Sequence, residues 1–193
     1  MLILSSTKVS NKKRGMAMPK IINQKDVRLD IVKKSFSVFA SNGYFNTSVN
    51  HISAASGLNR TALYYYFKNK FEVYQAIFDY VIDTIENDLL QAIKFDISSE
   101  DKINYISNKW EKQFGNRNLT MYSLELHLLV LRGIEDFKDI KTKLDKVNKY
   151  VLQKYISHIK NIIDSDLYTN PIMRFLDSVS KTLDHNNQIY NIS

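Results

Sequence analysis

The 193-residue chain contains no cysteine, only five glycines and only two prolines. Without cysteine there is neither a disulfide framework nor a thiolate metal site. So few turn residues argue against sandwiches, barrels and doubly wound sheets, whose many connections need them. No apolar run approaches the roughly 20 residues that span a bilayer, and the apolar start Met1 to Leu4 is too short for the core of a secretion signal. The glycines (15, 43, 57, 115 and 133) are too scattered for a phosphate-cradling loop, and no nucleophile elbow occurs. His51, His127, His158 and His185 form no pair at helical ligand spacing, so no metal is expected. These absences predict a cytoplasmic all-α protein with no catalytic residues, no cofactor and no membrane segment.

Hydrophobic residues make up 44% of the chain, enough for a real core. The net charge of +7 is unevenly spread. Residues 1–70 hold 12 Lys and Arg against only Asp26 and Asp30, a net of +10, whereas residues 71–193 hold 15 basic and 18 acidic residues, a net of −3. A basic third of this kind suits repeated phosphate charge, although a solvated basic face would have the same composition. Residues 1–24 lack periodicity and read as a flexible basic arm, with Met16 and Met18 as alternative starts just before the periodic region.

A helical pattern begins at Lys25, with Ile31, Val32, Ser35, Phe36 and Phe39 at three- and four-residue spacing, and stops at Asn42-Gly43. Thr47 suits the N-cap of a short second helix with Val49, Ile52 and Ala55 inward and Gly57 at its end. Asn59 caps a third, carrying Arg60 to Tyr64 and running out at Tyr66-Phe67. Two short helices joined by a glycine-containing turn describe a helix-turn-helix. Longer helices follow, from Phe71 to about Lys94, Glu100 to Phe114 and Leu119 to Leu131, the last apolar on more than one side as if centrally buried. Another from Phe137 to Ile163 has a near-heptad seam of Leu144, Val147, Val151, Tyr155, Ile159 and Ile162, and Pro171 opens a final one.

Between Arg28 and Val73, the aromatic Phe39, Gly43 with an aromatic after it, Thr47-Ser48, Ile52, Gly57-Leu58, Leu63-Tyr64, Tyr66-Phe67 and Asn69-Lys70 follow one another without a gap. This stretch closely resembles the DNA-binding domain of the TetR family of one-component bacterial regulators. It departs at Ser53 and Ser56, where the family usually has small apolar residues, and at Phe71, where it usually has an acid. Looser packing between the second and third helices is the expected consequence.

A recognition helix presents its N-terminal residues to base edges in the major groove. Here these are Asn59, Arg60, Thr61 and Ala62. The Arg60 guanidinium can pair bidentately with guanine, the short Thr61 and Ala62 can meet a thymine methyl, and Tyr65 on the same helix can reach a base or sugar. Thr47 and Ser48, at the start of the second helix, suit a phosphate, as do Tyr64, Lys68 and Lys70. The resemblance implies phosphate contacts for Thr47, Tyr64 and Lys70. Leu63 and Phe67 read as core.

The resemblance further implies that the C-terminal helices bind a small molecule and form a homodimer. The stripes at 144–162 and 172–183 suit a four-helix bundle with their copies, or packing within one protomer. Candidate pocket residues are Tyr105, Trp110, Phe114, Met121, Tyr122, Glu125, His127 and Tyr155, although aromatics at helical spacing are usually packing. Glu125 and His127 stand out, since polar groups amid leucines need partners if buried. The expected organisation is an arm over 1–24, a DNA-binding domain over 25–70 and a ligand-binding and dimerisation domain over 71–193. The expected function is a repressor released from a palindromic operator by a small-molecule inducer. An architectural protein that coats DNA with the same fold is the alternative.

Overall fold

The computed structural model describes residues 23–134 and 137–147. Among these the architecture is all-α: a three-helix helix-turn-helix unit followed by a helical domain. Helix α1 (Gln24–Asn46) is capped by Asn23, whose side chain accepts the Lys25 N–H. It kinks at Gly43, whose φ of 74° suits glycine. Helical turns resume beyond the expected stop at Asn42-Gly43 and reach Asn46.

The cap of α2 (Val49–Ser56) is Ser48, not Thr47. Ser48 accepts the His51 N–H, and the His51 ring accepts that of Ser48 in return, a reciprocal capping box. Thr47 is buried, and its hydroxyl donates to the Gly43 carbonyl at 2.7 Å, closing the kink of α1 instead. Inward positions of α2 are Ile52, Ser53 and Ser56, with Val49 and Ala55 only half-buried. Gly57 ends it in the left-handed region, at φ 73°. Asn59 then caps α3 (Arg60–Tyr66) and Asn69 caps α4 (Lys70–Ile93), each side chain accepting an N–H three residues on.

Helix α5 (Ser99–Phe114) is capped by Ser98, and Gly115 separates it from α6 (Asn116–Leu131), which starts a turn earlier than its apolar pattern suggests. The last described helix is α7 (Lys138–Val147). The seam beyond 147, the helix after Pro171, Tyr155 and most of the N-terminal arm lie outside the described residues.

A single buried cluster runs through the unit, from Ile31, Phe36 and Phe39 of α1 through Tyr74, Ile77, Phe78 and Val81 of α4 to Trp110 of α5 and Tyr122, Leu126 and Leu129 of α6. Only one face of α6 is buried. Met121, Leu124, Leu128 and Leu131 on its other side are exposed, so the central burial expected for this helix does not hold. Phe36 packs within 5.4 Å of both Phe114 and Tyr122, and Tyr74 within 5.3 Å of Tyr122, centroid to centroid.

Candidate nucleic-acid interface

Helix α3 buries Leu63 and leaves its opposite side to solvent. Asn59, Arg60 and Thr61 are exposed at its N-terminal end, and Ala62 is half-buried. The Asn59 carboxamide oxygen accepts the Ala62 N–H at 2.8 Å, so this side chain is engaged as the cap. Arg60 has no ion-pair partner among the described residues and is free to meet an acceptor. Tyr64 and Tyr65 are exposed, Tyr65 at 67%. The Tyr65 hydroxyl accepts a hydrogen bond from the Gln24 amide, which ties the C-terminal end of α3 to the start of α1.

Ser48 is exposed at the start of α2, beside free backbone N–H groups. Thr47, only 2% exposed and spent on Gly43, has no free hydroxyl for a phosphate in this conformation. Lys70 also turns inward: its ammonium donates to the Tyr44 carbonyl at 2.7 Å and the Phe45 carbonyl at 3.4 Å, and lies 4.3 Å from the Tyr44 ring centroid. Burial pushes its pKa below the ordinary lysine value. Lys68 remains exposed on the outer side.

Two residues without a role in the motif hold the recognition helix in place. The Arg28 guanidinium donates to the Tyr66 carbonyl at the end of α3 and, at 3.0 Å, to the Glu72 carboxylate; it also lies 4.0 Å above the Phe67 ring. The other Glu72 oxygen accepts the Lys68 N–H at 2.7 Å, and the Glu72 N–H caps onto Asn69. Although burial opposes ionisation, the Lys68 N–H and the Arg28 guanidinium together hold the Glu72 carboxyl below its usual range. One cation and one carboxylate thus lock α1, the C-terminus of α3 and the N-terminus of α4. Glu72 is visible in the sequence as the third position after a capping Asn69. Nothing local marks Arg28, whose partners lie 38 and 44 residues away.

Seven of the eight pocket candidates lie among the described residues, and Tyr155 lies outside them. Trp110 and Phe114 are core, with the indole N–H donating to the Asp88 carboxylate at 2.9 Å. Tyr105 and Met121 are exposed, and Tyr105 packs edge-on against Phe95. Tyr122 is buried beside Tyr74, and burial raises both phenol pKa values, so both remain protonated. His127 is half-buried, and its pKa is lowered by burial. Glu125 finds its partner in the helix-turn-helix itself, accepting the Tyr44 N–H at 3.0 Å. An open hollow of about 440 Å³ lies between α1, α4 and α5, lined by Lys33, Phe36, Tyr80, Gln113 and Phe114; of the seven described candidates only Phe114 borders it. No group of three metal-ligating side chains comes together among the described residues.

Residues 31–77 match the sequence model of the bacterial regulatory proteins of the tetR family. Among solved structures, the chain is similar to a transcriptional regulator assigned to the TetR/AcrR family, at 18% identity and a TM-score of 0.47, over 82% of this chain and 99% of that one. It is also similar to the transcriptional regulator FadR from Bacillus subtilis in complex with stearoyl-CoA, at 24% identity and a TM-score of 0.44, over 83% and 88% of the two chains. A third, a Clostridium perfringens chain assigned to fatty acid metabolism regulation, shares 18% identity at a TM-score of 0.45, over 82% and 86%. The helix-turn-helix segment 31–77 is thus the part of the chain that is similar to the bacterial regulatory proteins of the tetR family.

Proposed function

We propose that this protein is a ligand-responsive transcriptional repressor that acts in the cytoplasm as a homodimer on a palindromic operator. Residues 25–70 read the DNA, and residues 71–193 bind a small-molecule inducer and form the dimer. The observation that carries the reading is the solvent-facing N-terminal end of α3, where Arg60, beside Thr61, has no ion-pair partner among the described residues, in a segment that matches the family model. The clamp of Arg28 and Glu72 supports it, because base readout requires a helix held at a defined angle.

In this reading Arg60, Thr61, Ala62 and Tyr65 meet base edges. Ser48, Tyr64 and Lys68 meet phosphates, as do Asn59 through its backbone and Thr47 and Lys70 after local rearrangement. One short helix reads too few base pairs to be specific, so a second protomer supplies the other half-site. The inducer acts by favouring a conformer whose two recognition helices are wrongly spaced for successive major grooves. Helix α4 is the natural lever, since it starts directly after the recognition helix and runs the depth of the core.

The test is binding of the purified chain to DNA flanking its own gene against a scrambled duplex, over a salt series. Tight, sequence-dependent binding with a two-protomer footprint supports the repressor. Equal, steeply salt-dependent binding to both duplexes instead supports a DNA-coating architectural protein, for which the basic excess of residues 1–70 speaks.

A further inference from the structure

The corner between α1 and α2 is gripped from α4, from α6 and from the residue that precedes α7. Gly43 breaks α1, and the next residue, Tyr44, has both of its backbone polar groups engaged by distant side chains. Its N–H donates to the Glu125 carboxylate of α6 at 3.0 Å, and its carbonyl accepts from the Lys70 ammonium of α4 at 2.7 Å. The Tyr44 ring packs 5.2 Å from Tyr74 of α4 and 5.2 Å from Phe137, just before α7. At the far end of α6, the Arg132 guanidinium lies 6.0 Å from the Phe45 ring.

Glycine at 43 makes this grip possible, because a Cβ there would stand 3.1 Å from Glu125 Oε1. The corner is short. Thr47 is tied back to Gly43, and the very next residue is the Ser48 cap of α2. The point at which α6 holds the chain therefore lies four residues from the helix end that faces a phosphate in the proposed complex.

We propose that Glu125 is a positioning residue for DNA binding: from α6, and without touching DNA, its carboxylate fixes the α1–α2 corner and so the seat of α2 and α3 on the duplex. This role rests on the DNA-binding reading above. It does not depend on the pocket role expected for Glu125 from its leucine-rich surroundings. A hydrogen bond to a charged acceptor is strong enough to alter a conformational population tenfold or more. When only a fraction of molecules holds the binding-competent corner, the apparent Kd rises by the inverse of that fraction.

The experiment compares the full wild-type chain with Glu125→Ala and Glu125→Gln in the absence of inducer. The DNA probe is the duplex that the wild type selects most strongly from a randomised pool, with a scrambled duplex alongside. Amide hydrogen exchange at Tyr44 is read on the same samples without DNA. Glu125→Ala is expected to weaken selected-duplex binding about tenfold, leave scrambled-duplex binding within about twofold and speed Tyr44 exchange about tenfold. Glu125→Gln keeps an oxygen acceptor and is expected to stay within about twofold of wild type in all three.

Faster exchange with unchanged selected-duplex affinity overturns the positioning role, because the bond then only stabilises the fold. Unchanged exchange in Glu125→Ala overturns it as well, since the carboxylate is then not what holds the corner. If the wild type selects no duplex, the DNA-binding reading fails and this role falls with it. The exchange data identify that case, because they still report whether the bond forms.

Discussion

Asp88 offers the sharpest test of the packing that carries the helix-turn-helix. It sits on α4, only 5% exposed, and its carboxylate receives two donors from α5: the Lys109 ammonium at 2.7 Å and the Trp110 indole N–H at 2.9 Å. Trp110 is completely buried, so in Asp88→Ala its N–H loses its partner where water cannot replace it. A buried unsatisfied donor costs about 1–3 kcal/mol. The Lys109 side chain is 35% exposed, so solvent screens its ion pair and the further loss is about 0.5–1 kcal/mol. Asp88→Ala is therefore expected to destabilise by about 2–4 kcal/mol. Asp88→Asn keeps an oxygen for the indole and should cost about 1 kcal/mol.

Urea unfolding followed by tryptophan emission measures this directly, since Trp110 is the only tryptophan. Circular dichroism on a Trp110→Phe background completes a double-mutant cycle, in which Asp88→Ala should cost less because the donor is gone. The interaction also has a pH signature. The Asp88 hydrogen bond, opposed by partial burial, raises the Lys109 pKa above its ordinary value. A raised folded-state pKa gives stability that is fully present below the unfolded value and is lost as pH rises through the folded one. Wild type should thus lose stability on the alkaline side of the normal lysine range, and Asp88→Asn should lose less there. Equal destabilisation by Ala and Asn, or a cost below about 1 kcal/mol for Ala, would refute the buried indole bond as the main source of the stability that Asp88 supplies.

The remaining expectations concern the DNA-reading unit and α6. Arg60→Ala should cost about 1–3 kcal/mol of operator affinity and relax preference at one base pair, read by binding to a panel of single-base operator variants; uniform weakening across the panel would make Arg60 a phosphate contact instead. Arg28→Met should lower stability by about 1–2 kcal/mol in thermal or urea unfolding, because its half-exposed pair with Glu72 is screened but its bond to the Tyr66 carbonyl is not replaced. Gly43→Ala combines a φ of 74° with the close approach to Glu125, and about 1–3 kcal/mol of lost stability is expected by the same assay. For His127, burial lowers the folded-state pKa, so the stability it contributes is present above the unfolded value and is lost as pH falls through the folded one; His127→Gln should flatten that acid slope.

What could be read from the sequence was what local chemistry decides. Asn59, Asn69 and Gly57 each cap a helix with atoms a few residues away, so the third and fourth helices begin where the side chains indicate. The same criterion pointed to Thr47 as the cap of the second helix, and there it failed: the kink at Gly43 brings the Gly43 carbonyl within reach of Thr47 and leaves Ser48, extended, to cap the helix. Contacts set by topology gave no such signal: Tyr44 and Glu125 are 81 residues apart, and Arg28 and Glu72 are 44 apart. Packing accounts for three of the pocket candidates. Trp110, Phe114 and Tyr122 carry the size and polarity of ligand-binding residues, but α4 and α1 consume them, all three as packing and Trp110 also as a hydrogen-bond donor to Asp88.

The family resemblance itself was most informative where it failed. Phe71 stands where an acid is usual, and Ser53 and Ser56 replace apolar residues, so a looser helix-turn-helix was expected. Ser56 instead donates to the Ser53 carbonyl at 3.1 Å, at the point where that carbonyl also accepts the N–H groups that close α2. The Ser53 hydroxyl is left buried without a partner among the described residues. Phe71 gains rather than loses a contact: its ring lies 5.3 Å from Phe137, which also touches Tyr44 and Tyr74. An acid at 71 would sit against that aromatic group and would have to be desolvated there. In its place, an apolar side chain extends the core across the first turn of α4. A displacement of Phe137, at the entry to α7, therefore reaches the α1–α2 corner through its contact with Tyr44 and the first turns of α4 through Phe71 and Tyr74.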